Sequence, residues 1–136
     1  MRVVLDTNIL VSALLLPVGH PAAIYRAWHD GHFTLLTSAE QLAELRATLR
    51  KPALAARIRP YDAGRLVNEM KGLAKVVSSL PHVARSPDPT DDFLLALSEA
   101  GEADYLVTGD KSGLLALSRH ETTKIICARD FAALFA

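Results

Sequence analysis

The sequence predicts an α/β domain of three layers, α/β/α, with a central parallel sheet of about five strands. Three observations carry that prediction. Short β-branched or apolar runs recur along the chain, and segments with helical signals separate them. The runs are continuous rather than alternating, as in strands buried on both faces. The 136 residues amount to about one domain, and no composition shift marks a boundary, so residues 1–136 form a single unit.

The elements follow in order. Arg2 to Leu5 opens the chain as a strand, and Asp6, Thr7 and Asn8 are cap formers that start a helix running to about Leu16. Pro17 and Gly19 break it, Pro21 opens a second helix through His29, and Gly31 ends that one. Phe33 to Thr37 reads as a strand, and Ser38 with Gln41 forms a capping box for a helix to about Arg50. Short helical turns at Ala53 to Ile58 and a longer helix at Asp62 to Ala74 lead to a weak strand, Val76 to Ser79. After a loop from Pro81 to Pro89, Thr90 or Asp91 caps a helix that Gly101 stops. Asp104 to Thr108 is a fourth strand, Ser112 to Ser118 a short helix, Lys124 to Cys127 a fifth strand, and Arg129 to Phe135 a last helix.

Composition narrows the function classes. Half the residues are hydrophobic and 22% are charged, which is globular rather than disordered. Fifteen basic residues balance fifteen acidic ones, which excludes a polybasic, histone-like binder. The balance hides a local asymmetry. From Arg46 to Lys75 there are eight basic residues and two acids, a charge of +6 that the rest of the chain offsets at −6. Arg46, Arg50, Lys51, Arg57 and Arg59 are candidates for contacting phosphates, and an ordinary solvated helix face is the plainer alternative. The lone cysteine, Cys127, cannot form an internal disulfide, so a reducing, cytoplasmic setting is expected, with the thiol in the apolar last strand. No apolar run approaches the roughly 18 residues of a membrane span, and Ile9 to Leu16 makes a poor signal peptide. Trp28, with Ile24 and Tyr25, fits either the core or a partner surface.

Ligand sites in open α/β sheets lie outside the carboxyl ends of the strands. Asp6 ends the first strand, Asp110 follows the fourth by two residues, and Asp92 sits in the first turn of the intervening helix. Glu40 and Glu44 lie on the helix after the second strand. Singly, each fits a helix cap or a solvated charge. Together they would repel one another unless a divalent cation neutralises them. Mg²⁺ and Mn²⁺ take such oxygen ligands, and a cation of this kind suits phosphodiester cleavage. No histidine pair shares a helix face, which argues against zinc. Gly-rich phosphate loops and a Gly-x-Ser-x-Gly elbow are both absent.

Two segments carry a family resemblance. Val4-Leu5-Asp6-Thr7-Asn8-Ile9-Leu10-Val11-Ser12 resembles the opening motif of the PIN-domain nucleases. Asp88-Pro89-Thr90-Asp91-Asp92-Phe93-Leu94-Leu95-Ala96, followed by Ala103 to Asp110, resembles their second signature at the matching separation. The resemblance implies a PIN-like fold and Mg²⁺- or Mn²⁺-dependent cleavage of RNA. It assigns the metal-binding, catalytic acids to Asp6, Glu44, Asp92 and Asp110, with Asp91 able to substitute or assist. Asn8, Ser12 and Thr108 fall at supporting positions. Glu44 fits the family pattern best on its helix, yet it lies roughly 100° to 160° from the Leu42, Leu45 and Leu49 stripe, so periodicity leaves it or Glu40 open. Within this family the chain resembles VapC-type toxins of type II toxin–antitoxin pairs, which implies a homodimer and a cognate antitoxin. A housekeeping RNA-processing nuclease and a non-catalytic RNA- or antitoxin-binding domain are the alternatives. A haloacid-dehalogenase-like phosphatase needs a second Asp where Asn8 stands, and a receiver domain needs paired acids near the first strand.

Overall fold

The computed structural model describes residues 1–136. Strand β1 (Arg2–Leu5) leads into α1 (Thr7–Leu15) and α2 (His20–His29). Strand β2 (Thr34–Thr37) is followed by α3 (Ala39–Leu49), α4 (Pro52–Ala55), α5 (Pro60–Leu73) and the short β3 (Lys75–Val76). A long loop and a 3₁₀ turn (Pro89–Asp91) precede α6 (Asp92–Ala100), β4 (Tyr105–Val107) and α7 (Leu114–Leu117). A hairpin of β5 (Arg119–His120) and β6 (Thr123–Ile126) leads into α8 (Ala128–Ala132) and a closing 3₁₀ turn (Ala133–Phe135).

The six strands form one sheet in the order β3-β2-β1-β4-β6-β5. Five are mutually parallel, as expected, and β5 adds an antiparallel edge through Arg119↔Lys124 and His120↔Thr123. The sequence gives no hint of β5, because a two-residue edge strand has no apolar run to reveal it. The third strand lies slightly earlier than expected. Lys75 and Val76 pair with Leu36 and Thr37, while Ser78 and Ser79 lie beyond the strand.

Alternation within β1 divides the core. Val3 and Leu5 join an 18-residue cluster with α1, α2, α3, α5 and α8 on one face. Val4 joins Leu36, Leu106, Leu94 and Leu97 in a nine-residue cluster against α6 on the other. Ile24 and Trp28 belong to the first cluster, so they are core residues rather than a partner surface, and Tyr25 donates to Glu69 of α5. Gly101 is needed less for its backbone than for space. A Cβ there would lie 2.5 Å from Leu36 Cδ1, so a side chain would force the buried Leu36 to repack. Cys127 lies just past β6, half-buried at the start of α8, rather than within the strand. No single helix is long and apolar enough to cross a membrane.

The strand order reverses at β1. The chain proceeds outward through β2 and β3 on one side, and through β4 and β6 on the other. The β1/β4 boundary is therefore the switch point where such sheets open a crevice.

Candidate active site

Register builds the site. Leu5 lies opposite Val107, so the next residues, Asp6 and Thr108, emerge side by side at the carboxyl edge. The Thr108 hydroxyl donates to Asp6 Oδ2 at 2.8 Å, and its oxygen accepts the Asp110 amide at 3.2 Å. Asp6 also caps α1, accepting the Asn8 amide at 3.3 Å. Capping and site formation therefore fall to the same carboxylate. Asp6 is 8% exposed, and burial raises its pKa against the lowering effect of Thr108 and the Asn8 amide, with the charge of Asp110 raising it further.

Gln41 supports this edge from below. Its fully buried amide donates to the Leu5 carbonyl at 2.6 Å and accepts the Thr37 hydroxyl at 2.7 Å. It thereby ties α3 to the ends of β1 and β2. In the sequence it is legible only as part of a capping box, and the Ser38 hydroxyl does accept its backbone N–H.

Asp6, Asn8, Ser12, Asp88, Asp91 and Asp110 line a cavity of about 520 Å³ at this edge. Of the adjacent pair Asp91 and Asp92, the one that lines it is Asp91. Its pKa is pushed up to about 6, first by burial and then by the negative charges of Asp6, Asp88, Asp110 and Glu44. Asp88, which opens the second signature but is assigned no role by it, enters the cavity wall as well. It caps the 3₁₀ turn by accepting the Thr90 amide and hydroxyl at 3.0 and 2.8 Å, and these bonds lower its pKa.

Asp92 is placed elsewhere. Its carboxylate accepts the backbone amides of Arg85 and Ser86 at 3.1 and 2.7 Å, and it borders a separate groove with Glu40, Leu80 and Phe93. Asp92, expected among the metal-binding acids, does not line the acidic cavity. It fastens the preceding loop, and Asp91 stands in the cavity. Glu44 is half-buried and close enough for its charge to act on Asp91, whereas Glu40 faces the Asp92 groove. None of Arg46, Arg50, Lys51, Arg57 and Arg59 lines the cavity. Arg50, Lys51, Arg57 and Arg59 are exposed, and Arg59 pairs with Asp62 at 3.0 Å.

A second cluster, Glu99, His120 and Glu121, brings potential ligand atoms within 4.8 Å of one another. Its hydrogen bonds oppose metal binding. Arg85 Nη1 donates to His120 Nδ1 at 3.0 Å, so the ring proton sits on Nε2, which donates to Glu99 at 2.9 Å. A cation would need the Nε2 lone pair. The cluster instead fastens the loop before the 3₁₀ turn to the sheet edge, where Arg85 also donates to the Arg119 carbonyl at 2.6 Å.

The fold and this cavity define an α/β domain with carboxylates gathered at the switch point of a parallel sheet. The chain belongs to the PIN domain family, which it matches over residues 2–112. No curated protein matches the sequence. Among solved structures, the chain is similar to one in the crystal structure of VapBC2 from Rickettsia felis bound to a DNA fragment from its promoter. That match has a TM-score of 0.58 and 17% identity, covering 93% of this chain and 98% of the other. It is also similar to the PIN domain of human SMG5, with a TM-score of 0.55 and 14% identity over 100% of both chains. At these identities the likeness is one of fold.

Proposed function

We propose that this protein is a divalent-metal-dependent endoribonuclease and the toxin component of a type II toxin–antitoxin pair. The observation that carries the nuclease reading is the convergence of Asp6, Asp91 and Asp110 on one cavity, with Asp91 raised to about 6 by burial and by its acidic neighbours. Such a group of carboxylates is stabilised by a hard cation. The donor set fits Mg²⁺ or Mn²⁺, because every polar side chain lining the cavity offers oxygen and none offers imidazole or thiolate.

Asp6, Asp91 and Asp110 would hold the ion, with Glu44 adding negative charge from α3. When bound, the cation lowers the pKa of a water for in-line attack on the scissile phosphorus and stabilises charge on the leaving oxygen. Thr108 fixes the Asp6 carboxylate through its hydroxyl. Asn8 and Ser12 stand in the cavity wall, where an amide and a hydroxyl can donate to phosphate oxygens. Arg46, Arg50, Lys51, Arg57 and Arg59 form the basic arm that contacts the RNA backbone outside the cavity.

The toxin role is supported by the likeness in fold to the VapBC2 chain. It carries a homodimer, a cognate antitoxin and a cytoplasmic location as further parts of the proposal. Cleavage of an RNA panel by purified protein with Mg²⁺, Mn²⁺ or EDTA tests the activity. Metal-dependent cutting lost in Asp6→Asn and Asp110→Asn supports it. RNA binding without cutting by folded wild type would replace it with a non-catalytic role. Growth arrest on expression, relieved by the neighbouring gene's product, tests the toxin role, and unimpaired growth with active enzyme would point to housekeeping RNA processing.

A further inference from the structure

We propose that Gly113 is a positioning residue for Asp110, and that the missing side chain is what allows the Asp110 carboxylate to lie where it does in the cavity wall. The inference rests on the metal-dependent reading of that cavity. The backbone after β4 folds back on itself, with the Leu115 amide donating to the Asp110 carbonyl at 3.0 Å. This brings Gly113 under the Asp110 side chain, and its amide donates to Oδ1 at 3.1 Å. A Cβ at Gly113 would lie 1.9 Å from Asp110 Oδ2, 2.6 Å from Cγ and 3.0 Å from Oδ1. No carbon sits that close to a carboxylate. Gly109, which also lines the cavity, differs: a Cβ there meets nothing within 4 Å.

The collision is with the end of a side chain and not with backbone. Relief therefore comes from rotating the carboxylate while the turn keeps its shape. Alanine at 113 then displaces one of the four carboxylates that line the cavity. Gly113 holds Asp110 from both sides, by donating its amide to one oxygen and by leaving space for the other.

The test is calorimetric Mn²⁺ binding to the purified full chain, with thermal unfolding in EDTA as a second readout. Gly113→Ala should bind Mn²⁺ about 10- to 100-fold more weakly, the usual loss when the group orienting a ligand is removed. In an Asp110→Ala background, adding Gly113→Ala should change Mn²⁺ affinity by less than about twofold, because the collision partner is gone. Wild-type affinity in Gly113→Ala overturns the inference and leaves the metal reading intact. Equal losses in both backgrounds overturn it too, by showing a general structural role. Absence of Mn²⁺ binding in the wild type removes the metal reading and this inference together. If Gly113→Ala does not fold, the double variant decides: recovery of folding supports the collision with Asp110, and failure to fold overturns it.

Discussion

Replacing Asp91 and Asp92 one at a time separates a carboxylate of the cavity from a carboxylate of the fold. Asp92 accepts two backbone amides, from Arg85 and Ser86, at 3.1 and 2.7 Å. Hydrogen bonds to a charged group contribute about 1.5–3 kcal/mol each when sheltered. Asp92 is only half-buried and Arg85 is exposed, so water replaces much of what alanine removes. Asp92→Ala should therefore cost about 1–2 kcal/mol, a fall of roughly 3–8 °C in Tm for a domain of this size. Asp92→Asn retains one acceptor oxygen and should lose less. Asp91 has the opposite balance. Its charge is opposed by Asp6, Asp88, Asp110 and Glu44, so Asp91→Asn removes repulsion and should leave Tm in EDTA unchanged or higher. The same variant should weaken Mn²⁺ binding by at least about tenfold, whereas Asp92→Ala should keep it within about threefold. Thermal melts in EDTA and Mn²⁺ titration of both variants settle the matter. Loss of Mn²⁺ binding in Asp92→Ala at unchanged Tm, or wild-type binding in Asp91→Asn, would refute the placement of the two side chains.

Three further outcomes follow from the same geometry. Because Asp91 is raised from 3.8 to about 6, the folded chain keeps a proton between about pH 4 and 6 that the unfolded chain has released, so its ionisation lowers stability as pH rises through that window. The Tm of Asp91→Asn relative to wild type in EDTA should thus improve from pH 4 to pH 7, and a difference independent of pH would count against the cluster. Gln41→Leu strands the Leu5 carbonyl and the Thr37 hydroxyl in the core and should cost about 2–4 kcal/mol in urea unfolding; a loss below about 1 kcal/mol would show that neither bond matters. Neutralising Arg50, Lys51 and Arg57 together to Gln should reduce the slope of log affinity for single-stranded RNA against log salt by about 2, at roughly 0.7 per phosphate contact, and an unchanged slope would dismiss the basic arm.

The fold was largely legible because its signals are local. Asp6 caps α1, Ser38 caps α3 and Pro60 starts α5, and each sets an element boundary within a residue or two of where the sequence puts it. The β5–β6 hairpin was not legible. Its two-residue arm is held by Lys124 and Thr123 across the strand pair and by Arg85 reaching the Arg119 carbonyl, all of them tertiary contacts. Gly101 illustrates a different limit. It ends α6 as a helix stop should, but the requirement at that position is the nearness of Leu36, which no local pattern encodes.

The acidic cavity shows why motif spacing outruns motif assignment. Asp91 and Asp92 adjoin, and either precedes the apolar run of α6, so the pattern alone cannot say which one turns inward. The choice is made upstream. Asp88 caps a 3₁₀ turn through Thr90, that turn ends at Asp91, and the helix proper begins at Asp92. Asp92, as the first helical residue, then meets the loop amides of Arg85 and Ser86, while Asp91 meets the other acids. Glu44 makes the complementary point. Its distance from the leucine stripe reads as solvent exposure only if one face of a helix is core and the other water. At a switch point a helix has a third neighbour, the polar crevice at the strand ends, and a carboxylate off the apolar stripe can serve that crevice. Amphipathic periodicity sorts core from water and carries no information about such a crevice.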